Sequence, residues 1–274
     1  MTLPAPEGPP PVDHEQARRL LVDGTMVVAG RLVAASNTTL YCRLVGEGVE
    51  SACVYKPVSG ESPLWDFPEG TLAEREVATH AVSESTGWGV VPPTVLRDGP
   101  YGPGMAQLWV ETVDEDLVDV VPHGRVEPGW LRVLDAADGR GRPVSLVHRD
   151  DVRLRRAAVL DVVVNNADRK GGHLLPTPVG HVHGVDHGVT FHVEPKLRTV
   201  LWGWAGRPLA DDEQQVLEHL RGELGPGGAL AEVLGGLLRP GEVRAARHRV
   251  TDLLRRGRFP APGDHWPSIP WPAF

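Results

Sequence analysis

Cysteine is scarce in this 274-residue chain, which contains only Cys42 and Cys53. Neither belongs to the closely spaced cysteine pairs that bind metal ions, and both lie in apolar, strand-like stretches. We therefore predict two buried free thiols rather than a metal site. This cysteine usage fits a reducing compartment, so the expected localisation is cytoplasmic.

The chain also lacks the signals of export and of membrane insertion. Its N-terminus has no basic segment followed by an apolar stretch, as a secretory signal would have. No run reaches the roughly eighteen apolar residues that a membrane-spanning helix needs. The sequence therefore predicts a protein without a membrane span.

An excess of positive charge is missing as well. Asp and Glu outnumber Lys and Arg by 36 to 28, which gives a formal net charge of −8. Because nonspecific nucleic-acid binding normally uses a basic face, we do not expect a nucleic-acid partner. Arginines do concentrate at residues 153–158 and 255–259, and we interpret these as a solvated helix face and a tail.

The first half of the chain is predicted to be rich in antiparallel strands. Proline-rich residues 1–12 predict a disordered leader, and Asp13 is a candidate cap for a short helix that ends at Gly24. A second helix is predicted between Thr71 and Gly87, and two more strands follow it. Polar turns separate three apolar stretches that predict a meander at about residues 25–34, 39–45 and 50–56.

The second half is predicted to be mainly helical. Residues 126–137 are weakly helical in pattern, residues 148–166 strongly so, and the chain from residue 211 to 257 is helical with glycine breaks. Two short strands are expected near residues 173–177 and 181–186. This pattern predicts an α+β fold with a β-rich N-terminal lobe and a helical C-terminal lobe.

The predicted boundaries follow these changes in pattern. The N-terminal lobe is expected at residues 13–112 and the C-terminal lobe at residues 113–258. Residues 259–274 contain too much proline for a regular element and are predicted to form a tail.

Lys56 is the first candidate for chemistry. It lies at the end of a strongly apolar predicted strand, where burial of its charge would be costly without an anion. In a nucleotide site that anion would be a phosphate oxygen, with a helix carboxylate holding the ammonium group. Glu74 and Glu76 are available on the next helix, and we favour Glu76 because it precedes an apolar face. The alternative is a solvent-exposed lysine at a strand end.

Two aspartates form the second candidate. Asp168 follows a strong helix within the sequence NADRKGGHLL, and Asp186 follows a short strand within GVDHGVTF. A loop aspartate can orient a hydroxyl group and accept its proton, and a second carboxylate can bind Mg²⁺ between phosphates. Each aspartate alone is also explained as a turn residue.

Two other patterns, the HRD tripeptide and a pair of histidines, are weaker indications of a functional site. The tripeptide HRD at residues 148–150 matches a protein-kinase catalytic loop, but Arg155 stands where an asparagine is expected, so we interpret it as the opening of a helix. His181 and His183 share one strand face, which suits zinc, yet no motif supplies a third ligand.

Four stretches, in this order, resemble a known superfamily: residues 54–78, 87–96, 165–175 and 185–191. They are similar to the phosphatidylinositol 3-/4-kinase superfamily, which includes the type II phosphatidylinositol 4-kinases and, more distantly, the HipA-type kinases. The similarity is greater to an actinobacterial phosphatidylinositol 3-/4-kinase-like family. It spans roughly residues 25–205 and implies a two-lobed protein-kinase-like fold.

The resemblance implies a role for each candidate residue. Lys56 matches the strand lysine that contacts nucleotide phosphates and Glu76 its helix partner, while Asp168 matches the catalytic aspartate and Asp186 the metal-binding aspartate. His173 stands where the superfamily has a metal-binding asparagine, and an imidazole favours softer metals than Mg²⁺. The expected nucleotide-binding residues lie in a phosphate-covering turn and in a hinge that would hold adenine: Ser36, Asn37, Thr38, Gln107, Trp109 and Val110.

The resemblance further implies an ATP-dependent phosphotransferase that uses Mg²⁺ or Mn²⁺. Its acceptor would be a hydroxyl of a soluble small molecule or of a protein, since no lipidation signal or basic amphipathic helix indicates a membrane surface. The substitution at His173 leaves one alternative open, a nucleotide-binding pseudokinase with a regulatory role. A further alternative, independent of His173, is transfer of AMP on the same fold.

Overall fold

The computed structural model describes residues 14–32, 37–46, 48–62, 64–67, 71–263 and 267–274. The chain divides into two compact units. The first comprises Met1–Ala73 and Pro93–Trp109, and the second comprises Glu74–Pro92 and Val110–Phe274. The predicted leader at residues 1–12 lies outside the described residues, and the predicted lobe boundary at residue 112 stays a prediction.

The first unit is an antiparallel sheet with one helix packed on it. Hydrogen bonding links the strands in the order β1-β2-β3-β5-β4. The predicted meander and the two later strands are confirmed. The elements are α1 (His14–Asp23), β1 (Thr25–Arg31), β2 (Leu40–Gly46), β3 (Val49–Pro57), β4 (Thr94–Gly99) and β5 (Gly102–Leu108).

Alternation of side chains explains the core of this unit. In β2, Leu40, Cys42 and Leu44 are buried while Arg43 is exposed, because successive side chains of a strand point to opposite faces. The apolar face of α1, including Leu21, packs on this buried face. Cys42 and Cys53 are both buried and free, as predicted, and they lie directly opposite each other on β2 and β3.

Helix α2 (Leu72–Thr86) connects the two units along the chain. The carboxylate of Glu61 accepts hydrogen bonds from the backbone N–H groups of Leu72 at 3.3 Å and Ala73 at 2.9 Å. A carboxylate at this position satisfies the donors that have no partner within the helix and complements the helix dipole. The helix ends before Gly87, whose φ of 69° is readily adopted only by glycine.

After Val110 the second unit contains a three-stranded sheet that was not predicted. Its strands are β6 (Val118–Pro122), β7 (Trp130–Ala137) and β8 (Pro143–Arg149), in the order β6-β8-β7. The prediction of a weak helix at residues 126–137 was therefore wrong. A register shift between Arg132 and Leu134 interrupts the two-residue alternation of β7, so its apolar spacing resembles that of a helix.

The HRD tripeptide was also assigned to the wrong element. His148 and Arg149 end β8, and only the following residues belong to the start of α3 (Val152–Val164). The side chain of Asp151 accepts a hydrogen bond from the backbone N–H of Arg153 at 2.7 Å, so Asp151 is the N-cap. Asp150 instead accepts a hydrogen bond from the indole N–H of Trp204 at 2.8 Å.

The rest of the second unit is mainly helical, as predicted. A short hairpin follows α3, and three further helices share a hydrophobic core with α3, whose Leu154, Leu160 and Val163 are buried. The α+β class, with an antiparallel N-terminal sheet and a helical C-terminal region, is confirmed. These elements are β9 (Leu174–Pro176), β10 (Val182–Gly184), α4 (Asp211–Glu223), α5 (Ala229–Gly235) and α6 (Pro240–Arg256).

No helix within the described ranges combines the length and the apolar character that crossing a bilayer requires.

Candidate functional site

The end of α3 shapes the first loop of the candidate site, residues 165–173. Asn165 adopts a left-handed conformation with φ of 54°, and its amide donates to the carbonyl oxygens of His192 at 2.9 Å and Glu194 at 2.7 Å. The Asn166 amide donates to Asp161 at 2.9 Å and accepts from the backbone N–H of Asp168 at 3.0 Å. Both asparagines therefore fix the path of the chain into the loop.

Asp168 lies in this loop with about a third of its side chain exposed. Its Oδ2 is 3.0 Å from Nζ of Lys170. Burial raises the pKa of the Asp168 carboxyl above its usual value, the charge of Asp186 adds to the increase, and the hydrogen bond from Lys170 opposes it. A carboxylate with a raised pKa is a better proton acceptor than an ordinary aspartate.

Asp186 and His173 lie side by side. Nε2 of His173 is 3.5 Å from Oδ2 of Asp186, and the backbone N–H of Lys170 is directed at Nδ1 of His173 at 3.5 Å. Half of the Asp186 side chain is exposed. Asp186 has a φ of 62°, a left-handed conformation that aspartate adopts more readily than most residues. The structure therefore brings together the two residues that were predicted to bind metal.

A buried arginine holds both neighbours of Asp186. Arg169 is fully buried and forms an ion pair with the equally buried Asp161 of α3 at 3.0 Å. Its guanidinium also donates to the carbonyl oxygen of Val185 at 2.9 Å and contacts the ring of His187. Because Val185 and His187 flank Asp186, this network fixes the backbone that presents the exposed carboxylate.

Helix α2 fixes the same loop from another direction. Glu76 is 1% exposed and accepts a hydrogen bond from the backbone N–H of His187 at 2.8 Å. Arg75 donates to the carbonyl oxygen of Thr190 and forms a buried ion pair with Glu242 of α6, each at 2.5 Å. Glu76 thus contacts the Asp186 loop, and its pairing with Lys56 stays a prediction.

Asp186 and His173 fit a metal ion bound jointly by the protein and a phosphate ligand better than one bound by protein side chains alone. Across the described parts of the chain, no group of three or more His, Cys, Asp or Glu side chains is arranged to hold a metal ion. Mg²⁺ commonly binds through one or two carboxylates and completes its shell with water and substrate phosphates. Asp186 and His173, which are adjacent and partly exposed, fit that second arrangement.

The predicted phosphate-contacting residues belong to the first unit. Lys56 is half-buried on β3, opposite Met105 of β5. Oδ1 of Asn37 accepts from the backbone N–H of Ser62 at 2.8 Å, and the N–H of Thr38 donates to the carbonyl of Gly60 at 3.2 Å. These bonds tie the predicted covering turn to the segment after β3. Ser36 lies outside the described residues.

Two residues of the predicted hinge, Gln107 and Trp109, form hydrogen bonds to other residues of the first unit. The Gln107 side chain is buried and donates to Oγ1 of Thr94 at 2.8 Å. The backbone N–H of Trp109 donates to the carbonyl of Ala52 at 2.9 Å. Val110, the next residue, is the first of the second unit after this hinge. Adenine binding by Gln107, Trp109 and Val110 stays a prediction.

Sequence reasoning missed the residues that hold the site in place. Asp161, Arg169, His187 and Arg75 were not singled out, although all are buried. One signal was present: Asp161 interrupts the apolar run AAVLDVVV, and a buried carboxylate requires a partner. The sequence does not indicate that this partner is Arg169, the residue next to Asp168.

The chain is similar to a solved structure and to a curated protein. No family model matches it. Among solved structures, the chain is similar to the Helicobacter pylori proinflammatory kinase CtkA, with 10% identity and a TM-score of 0.41 over 85% of this chain and 97% of that one. A TM-score of this size does not establish a common fold.

Similarity to a curated protein is much higher. Protein Rv2133c of Mycobacterium tuberculosis is 52% identical over 273 residues, which cover 96% of each sequence. Identity of this degree over nearly the whole length requires a common ancestor and a common fold. The chain therefore belongs to the same protein family as Rv2133c.

Proposed function

We propose that this protein is an ATP-dependent phosphotransferase of the phosphatidylinositol 3-/4-kinase-like type, which transfers the γ-phosphate to a hydroxyl group. One observation carries the proposal. Two partly exposed carboxylates, Asp168 and Asp186, lie on loops that the fully buried Arg169 and Asp161 connect. Phosphoryl transfer depends mainly on positioning and on charge stabilisation, so rigid support of exposed carboxylates suits it.

In this proposal Asp168 binds and orients the acceptor hydroxyl. Its raised pKa favours transient acceptance of the hydroxyl proton as the new bond to phosphorus forms. Lys170, at 3.0 Å from Asp168, holds the carboxylate in place and adds a positive charge beside the position of the transferred group. A fixed hydroxyl replaces a bimolecular encounter by an oriented one, which lowers the entropic part of the barrier.

Asp186 and His173 would hold Mg²⁺ or Mn²⁺ together with the nucleotide phosphates. When bound, such an ion neutralises the negative charge of the β- and γ-phosphates. The Arg169 network and the Glu76 bond to His187 keep Asp186 directed outward before the nucleotide binds. Less of the binding free energy is then needed to order the loop.

The resemblance assigns the roles on the nucleotide side. Lys56 would contact the α- and β-phosphates, with Glu76 as its proposed carboxylate partner. The turn at residues 36–38 would cover the phosphates, and Gln107, Trp109 and Val110 would border the adenine. The acceptor is proposed to be a soluble small molecule or a protein.

A specific observation favours one second candidate, a nucleotide-binding pseudokinase with a regulatory role. His173 replaces the oxygen ligand that the superfamily uses, and its Nδ1 faces the backbone N–H of Lys170. In the neutral tautomer with Nδ1 as acceptor, the proton lies on Nε2, the nitrogen that faces Asp186. Metal binding at Nε2 would require loss of that proton.

Nucleotide binding and label transfer from ATP test the proposal. We would measure the affinity for ATP with Mg²⁺ and with Mn²⁺, and the transfer of label from γ- and α-labelled ATP to the protein, to water or to a metabolite extract. We expect Asp168→Asn to lower γ-transfer at least about 100-fold while nucleotide affinity changes little. We expect Asp186→Asn to remove the metal dependence of ATP binding.

Glu232→Gln, at an exposed position of α5, is the matched control and should behave as the parent. Melting temperatures should show that every variant is folded. Metal-dependent ATP binding without transfer would support the pseudokinase, and transfer of the α-label would indicate AMP transfer. Absence of metal-dependent ATP binding in the parent would overturn all three nucleotide hypotheses.

A further inference from the structure

The second unit contains a cavity whose lining includes Asn165, at the start of the Asp168 loop, but neither Asp168 nor Asp186. Its volume is about 410 Å³, within the range of roughly 300–1,000 Å³ that is typical of small-molecule sites. It lies among the end of α3, one face of α6 and the chain segments around residues 193–202 and 260–263. Its walls are mostly apolar and include Val162, Val193, Leu197, Trp202, Leu253 and Pro260.

The apolar lining is open to solvent in part. Val193, which lines the cavity, has 54% of its surface exposed. Apolar surface in a concave site is favourable to cover, at about 25 cal/mol for each Å² removed from water. An occupant with an apolar body would therefore gain free energy from these walls.

The charged groups of the cavity are mainly positive. Arg249 and Arg256 line it, and neither has an acidic side chain within ion-pair distance in the described part of the chain. Asp252 also lines it, but this carboxylate is already paired with Arg255 at 2.8 Å and His248 at 3.5 Å. The lining therefore has an uncompensated positive charge.

Arg249 has unused hydrogen-bonding capacity. Its Nε donates to the carbonyl of Val163 at 2.8 Å and its Nη1 to that of His192 at 3.3 Å, while its buried Nη2 has no acceptor among the described residues. Burial lowers the pKa of Arg249 to about 10, so the guanidinium is still charged at neutral pH. A charge held away from water without a counter-ion is costly, and an anion would offset that cost.

From the cavity and its unpaired guanidinium groups we infer that this is a binding site for a small organic anion, a monocarboxylate with an apolar chain or ring. A carboxylate matches the planar, two-pronged guanidinium group, and the apolar body matches the walls. One charge is enough, because only Arg249 presents a buried guanidinium nitrogen without a partner, whereas Arg256 is exposed at the rim. The inference does not depend on the proposed phosphotransferase function.

Decanoate, below its aggregation concentration, is a suitable probe, and decanol is its uncharged counterpart. Isothermal titration calorimetry with the full chain would measure both. We expect saturable binding of one decanoate per chain and at least about 10-fold weaker binding of decanol, because hydrogen bonds to charged groups contribute about 1.5–3 kcal/mol. Equal binding of the two probes would overturn the anion class, and no binding of decanoate would overturn the site.

Single substitutions test whether decanoate binds in this cavity. Ala245→Phe places a ring in the cavity without changing charge, and Arg249→Gln removes the buried guanidinium. Each should weaken decanoate binding at least about 10-fold. Arg247→Gln makes the same charge change at an exposed position of α6 outside the cavity and should bind as the parent. If Arg249→Gln does not fold, Ala245→Phe alone decides the location, and unchanged binding by it would overturn the assignment.

Discussion

At the scale of single residues, opposing influences act on the carboxyl group of Asp168. Burial and the charge of Asp186 raise its pKa, whereas the hydrogen bond and charge of Lys170 lower it. Lys170 is itself only partly exposed, so solvent does not fully screen the pair. The pKa of Asp168 therefore depends on its burial and on two charged neighbours in the loops of the candidate site, Lys170 and Asp186.

Lys170→Gln should raise the pKa of Asp168 further. The substitution removes the one contact that strongly favours the charged carboxylate, so protonation occurs at a higher pH. Carboxyl resonances of ¹³C-labelled aspartate, with Asp168 identified by Asp168→Asn, would give the titration in parent and variant. Arg247→Gln removes a distant positive charge and should leave the titration unchanged, whereas a lower pKa in Lys170→Gln would contradict the assigned role of Lys170.

His173→Asn should change the metal preference of nucleotide binding. An asparagine carbonyl is a hard oxygen donor that suits Mg²⁺, while imidazole suits softer ions. We expect the affinity for ATP with Mg²⁺ to increase relative to that with Mn²⁺ in the variant, measured by titration of each metal complex. Equal ratios in parent and variant would argue against contact between His173 and the metal.

At the scale of elements, one buried ion pair connects α3 to the loop of Asp168, and another connects α2 to α6. Arg169 and Asp161 are both 0% exposed, and Asp161 also accepts hydrogen bonds from Asn166 and Thr199. The removal of one partner leaves the other charge buried without compensation. Such changes are costlier than the loss of an exposed pair.

Asp161→Asn should lower the free energy of unfolding by about 3–5 kcal/mol. The variant leaves the fully buried guanidinium of Arg169 without its counter-charge. Urea denaturation would measure the change. Glu218→Gln breaks the exposed Arg221–Glu218 pair of α4 and should cost less than about 1 kcal/mol. Similar losses in the two variants would mean that the Arg169–Asp161 pair is not an important support.

The elements also show what sequence reasoning could predict. Apolar stretches between polar turns predicted β2 and β3 correctly, and clear boundaries predicted α2. The prediction for β7 was wrong because a bulge disrupts its alternation, and the pairing with β8 that defines this strand is a nonlocal property. The Arg169–Asp161 ion pair also depends on the folded chain, so it could not be predicted, while the roles of Asp168 and Asp186 stay predictions.

At the scale of the whole molecule, the stability of the second unit should depend on pH through His148. This residue is 0% exposed, accepts a hydrogen bond from the N–H of Gly203 at 3.0 Å, and packs against the ring of Trp204. Burial lowers the pKa of His148 to about 4. The unfolded chain, with an ordinary histidine pKa of about 6.5, then binds the proton more readily than the folded chain.

Stability from neutral His148 is therefore present above about pH 6.5 and is lost as the pH falls toward about 4. Between pH 7 and pH 5 the expected loss from this group is about 2 kcal/mol. Urea denaturation at both values would compare the parent with His148→Gln, whose side chain does not titrate. The parent should lose more stability between the two values than the variant, and equal losses would show that His148 is not responsible.

The α+β class could be predicted for the whole molecule because composition changes clearly between the halves of the chain. The division into units could not be predicted in detail. Residues 74–92 precede β4 and β5 in sequence, yet they belong to the second unit. The reason is packing: Ala78, Val82 and Val91 bury their side chains in the core of the helical unit, which only the folded chain reveals.

The opposed thiols of Cys42 and Cys53 give the protein an internal reporter. They are the only cysteines of the chain, both are 0% exposed, and both belong to the first unit. Their contact raises the pKa of the Cys53 thiol and lowers that of Cys42, so burial is what keeps reagents from both. Labelling by a thiol reagent should therefore require opening of the N-terminal sheet, and its rate would follow that opening separately from events in the helical unit.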